Sequence, residues 1–356
     1  MRSKLTPAFT VGKLKGMFSI INNIGLEMNQ YIRKNLGQQE FKEICAKFST
    51  DVIAKCAFGI NSHCFEYEDA NFREVGRSIF DFSWRNGIVH SSYFFMHGLA
   101  KLLRLNFFEK RAVTYLSDAF CNLFYMSSSF HNKMIVCYFL FLEGEKVVAQ
   151  AIQFFAAGFE TTSTTIAFTL YELCVQPQLQ DKLRCEIINN IKENNGITYE
   201  ALQNMKILEM CIMETLRKYP AVPFLDRRCN EDYKIDGTDI VIEKGMSVFI
   251  PTLALHYDPQ YFPEPDKYKP ERFSDKNNYN VDGLYYLPFG EGPRICIGER
   301  FGMLVTKLGL VHILSEFEVE RIPDTPVPME FEPKSLLLQS KVGLPMRVKE
   351  YQPISE

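Results

Sequence analysis

Ten consecutive residues, Phe289-Gly290-Glu291-Gly292-Pro293-Arg294-Ile295-Cys296-Ile297-Gly298, place a cysteine in a glycine-rich loop that runs into an amphipathic helix. A metal-ligating thiolate needs backbone amides near the sulfur and a positive local field, and a loop feeding a helix N-terminus supplies both. Gly292 and Gly298 let the backbone come close where a Cβ would collide. Arg294, two residues before the sulfur, can reach an anionic group at the edge of a planar cofactor, and Phe289 can shield the sulfur from water. On haem iron a thiolate pushes electron density toward bound dioxygen. The alternative is a glycine-rich turn around an ordinary buried cysteine. Five specified positions within ten weigh against it.

Two further groups of residues carry candidate chemistry. Ala157-Gly158-Phe159-Glu160-Thr161-Thr162 lies in the middle of a long helical pattern, where a glycine costs about 1 kcal/mol relative to alanine. Gly158, Thr161 and Thr162 are three and four apart, which gives one helix face a shallow groove edged by hydroxyls. The alternative is a packing notch with threonines bonded back to the previous turn. Glu214 and Arg217 stand one helical turn apart, so they can pair and hold a second arginine, Arg272, from a later loop. Taken alone, such a pair is more often a solvated surface ion pair contributing about 0.3–0.5 kcal/mol.

The elements that must position these residues are mainly helical. Apolar residues recur at three and four from Ile20 to Leu36 and from Phe41 to Phe58. Val147 to Val175 reads as one long helix stopped by Gln176-Pro177. Leu179 to Ile191 and Leu208 to Tyr219 read as shorter ones, the latter closed by Pro220. Tyr233 to Ile250 reads as short strands joined at Asp236-Gly237 and Lys244-Gly245. Prolines between His256 and Phe273 impose an extended loop, Glu299 to Phe317 is a helix, and the remainder suggests a small hairpin. The fold expected is mostly α with a minor β part. At 356 residues, length alone would suggest about two domains, but no linker or repeat divides the chain, so residues 1–356 are read as one domain.

Lysine plus arginine (40) nearly balance aspartate plus glutamate (43), which leaves no polyelectrolyte signature for nucleic acid. Ten cysteines without a Cys-x-x-Cys pair fit reduced thiols better than a disulfide scaffold. Thirty phenylalanines against one tryptophan suggest an aromatic core. The N-terminal residues have no apolar run, and the longest such run, Met134 to Leu142, is too short to span a bilayer, which takes about 20 residues.

With these segments in this order, the chain resembles the cytochrome P-450 superfamily. The cysteine loop is similar to that family's Phe-x-x-Gly-x-Arg-x-Cys-x-Gly pattern. Glu214-Thr215-Leu216-Arg217 resembles its Glu-x-x-Arg helix, and Pro270-Glu271-Arg272-Phe273 its Pro-Glu-Arg-Phe loop. The resemblance implies a partial P-450 fold with a long central helix over haem b and Cys296 as the iron ligand. It further implies Ala157 and Gly158 beside the haem, and Thr161 with Glu160 as an acid–alcohol pair that delivers protons. Glu214, Arg217 and Arg272 become a structural triad. Arg2 and Arg227 become partners of the haem propionates, with a solvated surface arginine as the alternative for each; His256 is expected to be structural.

The likeness covers Arg2 to about Ser117 and about Glu145 onward, most closely insect microsomal members that oxidise foreign apolar compounds. It implies a monooxygenase using dioxygen, a small apolar substrate and electrons from NADPH through a flavoprotein reductase. It also implies the cytosolic face of the endoplasmic reticulum membrane. The chain begins where the family is already under way, so the membrane anchor and the first helices are expected to be missing. Residues 118–144 depart from the pattern as an aberrant segment. The competing reading is a non-catalytic or degenerate haem-thiolate fragment.

Overall fold

A stripe of apolar residues on one side of a helix has to be buried, and the first long helix shows how this chain does it. The computed structural model describes residues 2–67, 70–80, 84–126, 145–274 and 284–352. After α1 (Arg2–Leu5) and a 3-10 turn comes α2 (Val11–Lys34), which buries Leu14, Met17, Ile21, Ile24, Met28 and Ile32. Strand β1 (Gly37–Glu40) leads into α3 (Phe41–Ile53), which loosens into a π-helical turn at Ala54–Phe58. Helices α4 (Asn71–Phe80), α5 (Trp84–Phe95), α6 (His97–Leu102) and α7 (Lys110–Met126) follow. The segment 118–144 is thus helical to Met126; its remainder lies outside the described residues.

The 31-residue helix α8 (Glu145–Val175) is the axis of the molecule. From Phe159 to Cys174 every residue except Thr161 is buried, because α3, α7, α11 and α13 pack around it. Pro177 begins α9 (Pro177–Glu193), where its missing N–H costs nothing. Thr198 caps α10 (Tyr199–Asn204) by accepting from the Ala201 amide, and α11 (Lys206–Lys218) stops just before Pro220.

Two small antiparallel pairs follow: β2 (Leu225–Arg228) with a later strand β5 (Ser247–Ile250), and β3 (Tyr233–Lys234) with β4 (Val241–Ile242). Helix α12 (Thr252–His256) opens the proline-punctuated path to a 3-10 turn at Pro270–Phe273. Helix α13 (Glu299–Glu316) leads directly into β6 (Phe317–Glu320), and β7 (Pro345–Glu350) completes a sheet of order β1-β7-β6. The sequence predicts a small hairpin in the tail; β6 and β7 do pair antiparallel, but across the long connection 321–344 and not a tight turn, and β1 adds a third strand on the other side of β7.

The core is rich in phenylalanine. Phe41, Phe48, Phe58, Phe120, Phe155, Phe159 and Phe168 are fully buried, with Phe155 and Phe159 ring centroids 5.2 Å apart. Helices α2 and α13 meet at Gly25, where an added Cβ would lie 2.2 Å from the His312 ring. Only glycine lets the helices approach this closely.

Candidate functional site

The rigid part of the site is built around Glu214, which is completely buried. Its Oε2 accepts from Arg217 Nε at 2.8 Å. Its Oε1 accepts from Arg217 Nη2 at 2.9 Å, the Lys269 amide at 2.9 Å and Arg272 Nε at 3.3 Å. Glu214, Arg217 and Arg272 therefore meet at one buried carboxylate. Arg217 also donates to the His256 carbonyl at 3.0 Å, which ties α11 to α12.

His256 carries this frame onward to the cysteine loop. The Leu287 amide donates to its Nε2 at 2.9 Å, so Nε2 is the acceptor and Nδ1 carries the proton donated to the Arg217 carbonyl at 2.9 Å. Burial lowers the His256 pKa to about 4, which keeps the ring neutral. Two residues beyond Leu287 stands Phe289, whose carbonyl accepts from the Cys296 amide at 2.8 Å. Gly292 takes a φ of +75°, and the Ile295 amide closes a 3-10 turn on its carbonyl at 3.0 Å. Such a φ suits glycine. Gly298 precedes α13, and a Cβ there would stand 4.0 Å from the Cys296 Sγ.

Cys296 opens into a cavity of about 520 Å³ between this loop and α8. Among the described cysteines it is the one that lines the cavity; Cys45, Cys56, Cys64, Cys174 and Cys211 are buried in the core. Protein packed behind the sulfur pushes its pKa up, opposed by the Gly298 amide and by the charge of Arg2. Arg2, Arg294, Phe289 and Gly298 line the same cavity, with apolar walls from Leu5, Phe9, Phe154, Leu216, Leu225 and Phe301.

The opposite wall is the face of α8 bearing Gln153, Ala157, Gly158, Thr161 and Thr165. Gln153 and Ala157 are exposed although they lie mid-helix, so among the described residues this face of the buried axis is not covered by protein. Ile53 reaches the Gly158 side: an added Cβ would meet its Cδ1 at 2.7 Å. The glycine thus serves close packing of α3 on α8 at the cavity edge. The Thr161 hydroxyl donates to the Ala157 carbonyl at 2.7 Å, the back-bonding arrangement weighed from sequence.

Two expected neighbours are not at the cavity. Glu160 does not adjoin Thr161 in a shared groove. Its carboxylate points to the α3 side, where Lys42 Nζ lies 2.8 Å from Oε1 and Gln339 donates to the same oxygen at 3.3 Å. Successive helical residues point about 100° apart, so the two cannot share a face. Arg227 alternates onto the same side of β2 as Leu225 but does not line the cavity; its Nη1 donates to the Asp226 carbonyl. Sequence reasoning missed Lys42 and Ile53, since a lysine at a helix start and an isoleucine in an apolar stripe carry no signal of their own.

A cavity of this size lies within the roughly 300–1,000 Å³ typical of cofactor and small-ligand sites. One accessible thiol on one wall, an uncovered helix face on the other, apolar sides and two rim arginines suit a flat, largely apolar group with an anionic edge. Haem has that shape and such an edge. A family model described as Cytochrome P450 matches residues 1–345. Cytochrome P450 6k1 of Blattella germanica is 41% identical over 97% of this chain and 72% of its own length. Probable cytochrome P450 6a13 of Drosophila melanogaster is 36% identical over 98% of this chain and 73% of its own length. The chain belongs to the cytochrome P450 family, and with it to the monooxygenases among the oxidoreductases. Among the described residues, no helix is long and apolar enough to cross a membrane.

Proposed function

We propose that the chain is a haem-thiolate monooxygenase that inserts one atom of dioxygen into a small apolar substrate and releases the other as water. The observation that carries this reading is the Cys296 thiol opening into a cavity whose far wall is the uncovered Ala157–Thr161 face of α8. Cys296 would hold the haem iron through its sulfur, Arg2 and Arg294 would be the cations available to the haem propionates, and Phe289 would shield the sulfur from water. Haem bound there supplies dioxygen activation under thiolate donation. The residues do the rest. Apolar walls exclude water, the frame from Glu214 through His256 holds the loop in place, and Thr161 holds a hydroxyl at the cavity wall.

Electrons are proposed to come from an NADPH-dependent flavoprotein reductase docking on the face around the Cys296 loop. The location proposed is the cytosolic face of the endoplasmic reticulum membrane. The chain is proposed to form a single domain, a reading supported by the packing of α2 on α13 and the pairing of β1 with β7; residues 118–144 are proposed as an aberrant segment within it. The test is the absorption spectrum of the reduced, carbon-monoxide-bound protein. Thiolate ligation gives a Soret band far to the red of histidine-ligated haem, and Cys296→Ala is expected to abolish it. Retention of that band in the variant would overturn the ligand assignment.

A further inference from the structure

A second cavity, of about 470 Å³, lies behind the loop that presents Cys296. The loop itself is the partition. Cys296, Ile297 and Gly298 line the first space, Gly290, Glu291 and Ile295 line the second, and Phe289 walls both. Helix α13 divides in the same way, with Phe301 and Thr306 on the first cavity, Glu299 and Lys307 on the second, and Met303 on both.

The walls away from the loop come from α2, α10 and α11. Tyr199, Met213, Tyr286 and Met303 give the space aromatic rings and thioethers. The Tyr286 hydroxyl donates to the Met213 carbonyl at 3.0 Å, so it is the ring that serves as wall.

The charges around this space do not balance. Lys307 is buried, and its ammonium is answered by Glu209 Oε2 at 3.0 Å and the Leu202 carbonyl at 3.4 Å. That leaves Glu291, Glu299 and the exposed Arg300. Glu291 Oε1 accepts from the Gly292 amide at 2.8 Å, a bond that orients the acid without neutralising it. Glu299 is half-buried; burial raises its pKa, and of its charged neighbours Arg300 opposes the rise while Glu291 adds to it. A half-buried carboxylate beside a second carboxylate favours a nearby cation, and aromatic walls favour one that is poorly hydrated.

We propose that this cavity binds an organic cation, a protonated or quaternary amine with a compact apolar body, its charge between Glu291 and Glu299 and its body against Tyr286, Phe289 and Met303. The volume lies within the roughly 300–1,000 Å³ of small-ligand sites. The Cys296 cavity has the opposite preference, because its rim charges are Arg2 and Arg294. The two sides of one loop therefore select ligands of opposite charge. The proposal does not rest on the haem reading, since Cys296 takes no part in it.

The experiment measures binding of phenyltrimethylammonium to the full chain by calorimetry, before and after loading with haem. The neutral isostere tert-butylbenzene and the anion benzenesulfonate are then tested as competitors. Each competitor is expected to need a concentration at least about tenfold higher than the cation itself to displace it. Glu299→Gln is expected to weaken cation binding severalfold and E291Q/E299Q to abolish it, since glutamine keeps the shape and the acceptor for the Gly292 amide but not the charge.

Displacement by either competitor at equal concentration, or no binding of the cation, would overturn the proposal. So would loss of binding on haem loading, which would place the cation in the Cys296 cavity, or parent-like binding by E291Q/E299Q, which would place it elsewhere. Should the double variant not fold, Met213→Trp, which fills the cavity and leaves both acids in place, carries the test. It is expected to abolish cation binding, and parent-like affinity in that variant would overturn the site.

Discussion

Glu214 and Glu160 are both buried carboxylates on helices that wall the Cys296 cavity, yet they are held in opposite ways. Glu214 accepts four bonds from three residues, two of them arginines, and is completely buried. Glu160 has one lysine and one amide, and a polar cleft at its side. A charge saturated by fixed donors in a dry place cannot change partners without exposing two guanidinium groups. A charge held by one flexible side chain at the edge of a polar cleft can. The same residue type is thus locked by fixed donors in one helix and held by a single cation beside a cleft in the other.

The largest effect that would sharpen this contrast is expected for Glu214→Ala. Removing the acid strands two buried arginines, and the loss is expected to be about 3–5 kcal/mol of unfolding free energy, read by denaturant titration. A loss no greater than that of Glu160→Gln would erase the distinction between the two carboxylates.

The next effect belongs to the frame's link to the cysteine loop. Unfolded His256 binds a proton near pH 6.5, whereas the folded ring does so only near 4, because burial disfavours its charge. Its contribution is therefore complete above pH 6.5 and is lost progressively as pH falls toward 4, by up to about 3 kcal/mol. His312, also lowered to about 4 by burial, adds to the same window. Stability measured across this range should decline steeply, and a His256→Gln variant should decline less; identical slopes would show that the ring does not link the frame to the loop.

Smaller changes are expected at Glu160 and Thr161. Glu160→Gln keeps an acceptor for Lys42 and is expected to cost about 1 kcal/mol. Thr161→Ala, which removes one back-bonding hydroxyl at a cavity wall, should stay within roughly 0.5 kcal/mol while lowering product formed per NADPH consumed. An unchanged product ratio would return Thr161 to helix packing alone.

How much of this was legible in the sequence follows from how local each feature is. The cysteine loop and the Glu214–Arg217 pair are written in residues a few positions apart, and Arg272 is recognisable by its own short motif. The long helix was legible to within two residues at its start, with its stop at Val175. The orientation of Glu160 was not, because its partner Lys42 lies 118 positions away, at the start of α3 where a lysine usually meets solvent. Helical phase still held a clue, since residues 160 and 161 cannot point the same way. Gly158 reads as a groove until Ile53 is seen in it. Strand β1, Gly37-Gln38-Gln39-Glu40, lacks the alternation that marks a strand, and its pairing comes from β7.

That pairing has a consequence for how the protein is made. Glu40 accepts from the Leu344 amide through both carboxylate oxygens, at 2.8 and 3.0 Å, across a separation of 304 residues. The junction of α2 and α3 leaves the ribosome 304 residues ahead of its bolt. At about 5–20 residues per second, that junction waits some tens of seconds for its partner. Throughout that wait β1 is an unpaired edge and Glu40 a carboxylate without its amide, so translation rate and chaperone occupancy, rather than the final fold, govern how much of the chain escapes aggregation during synthesis.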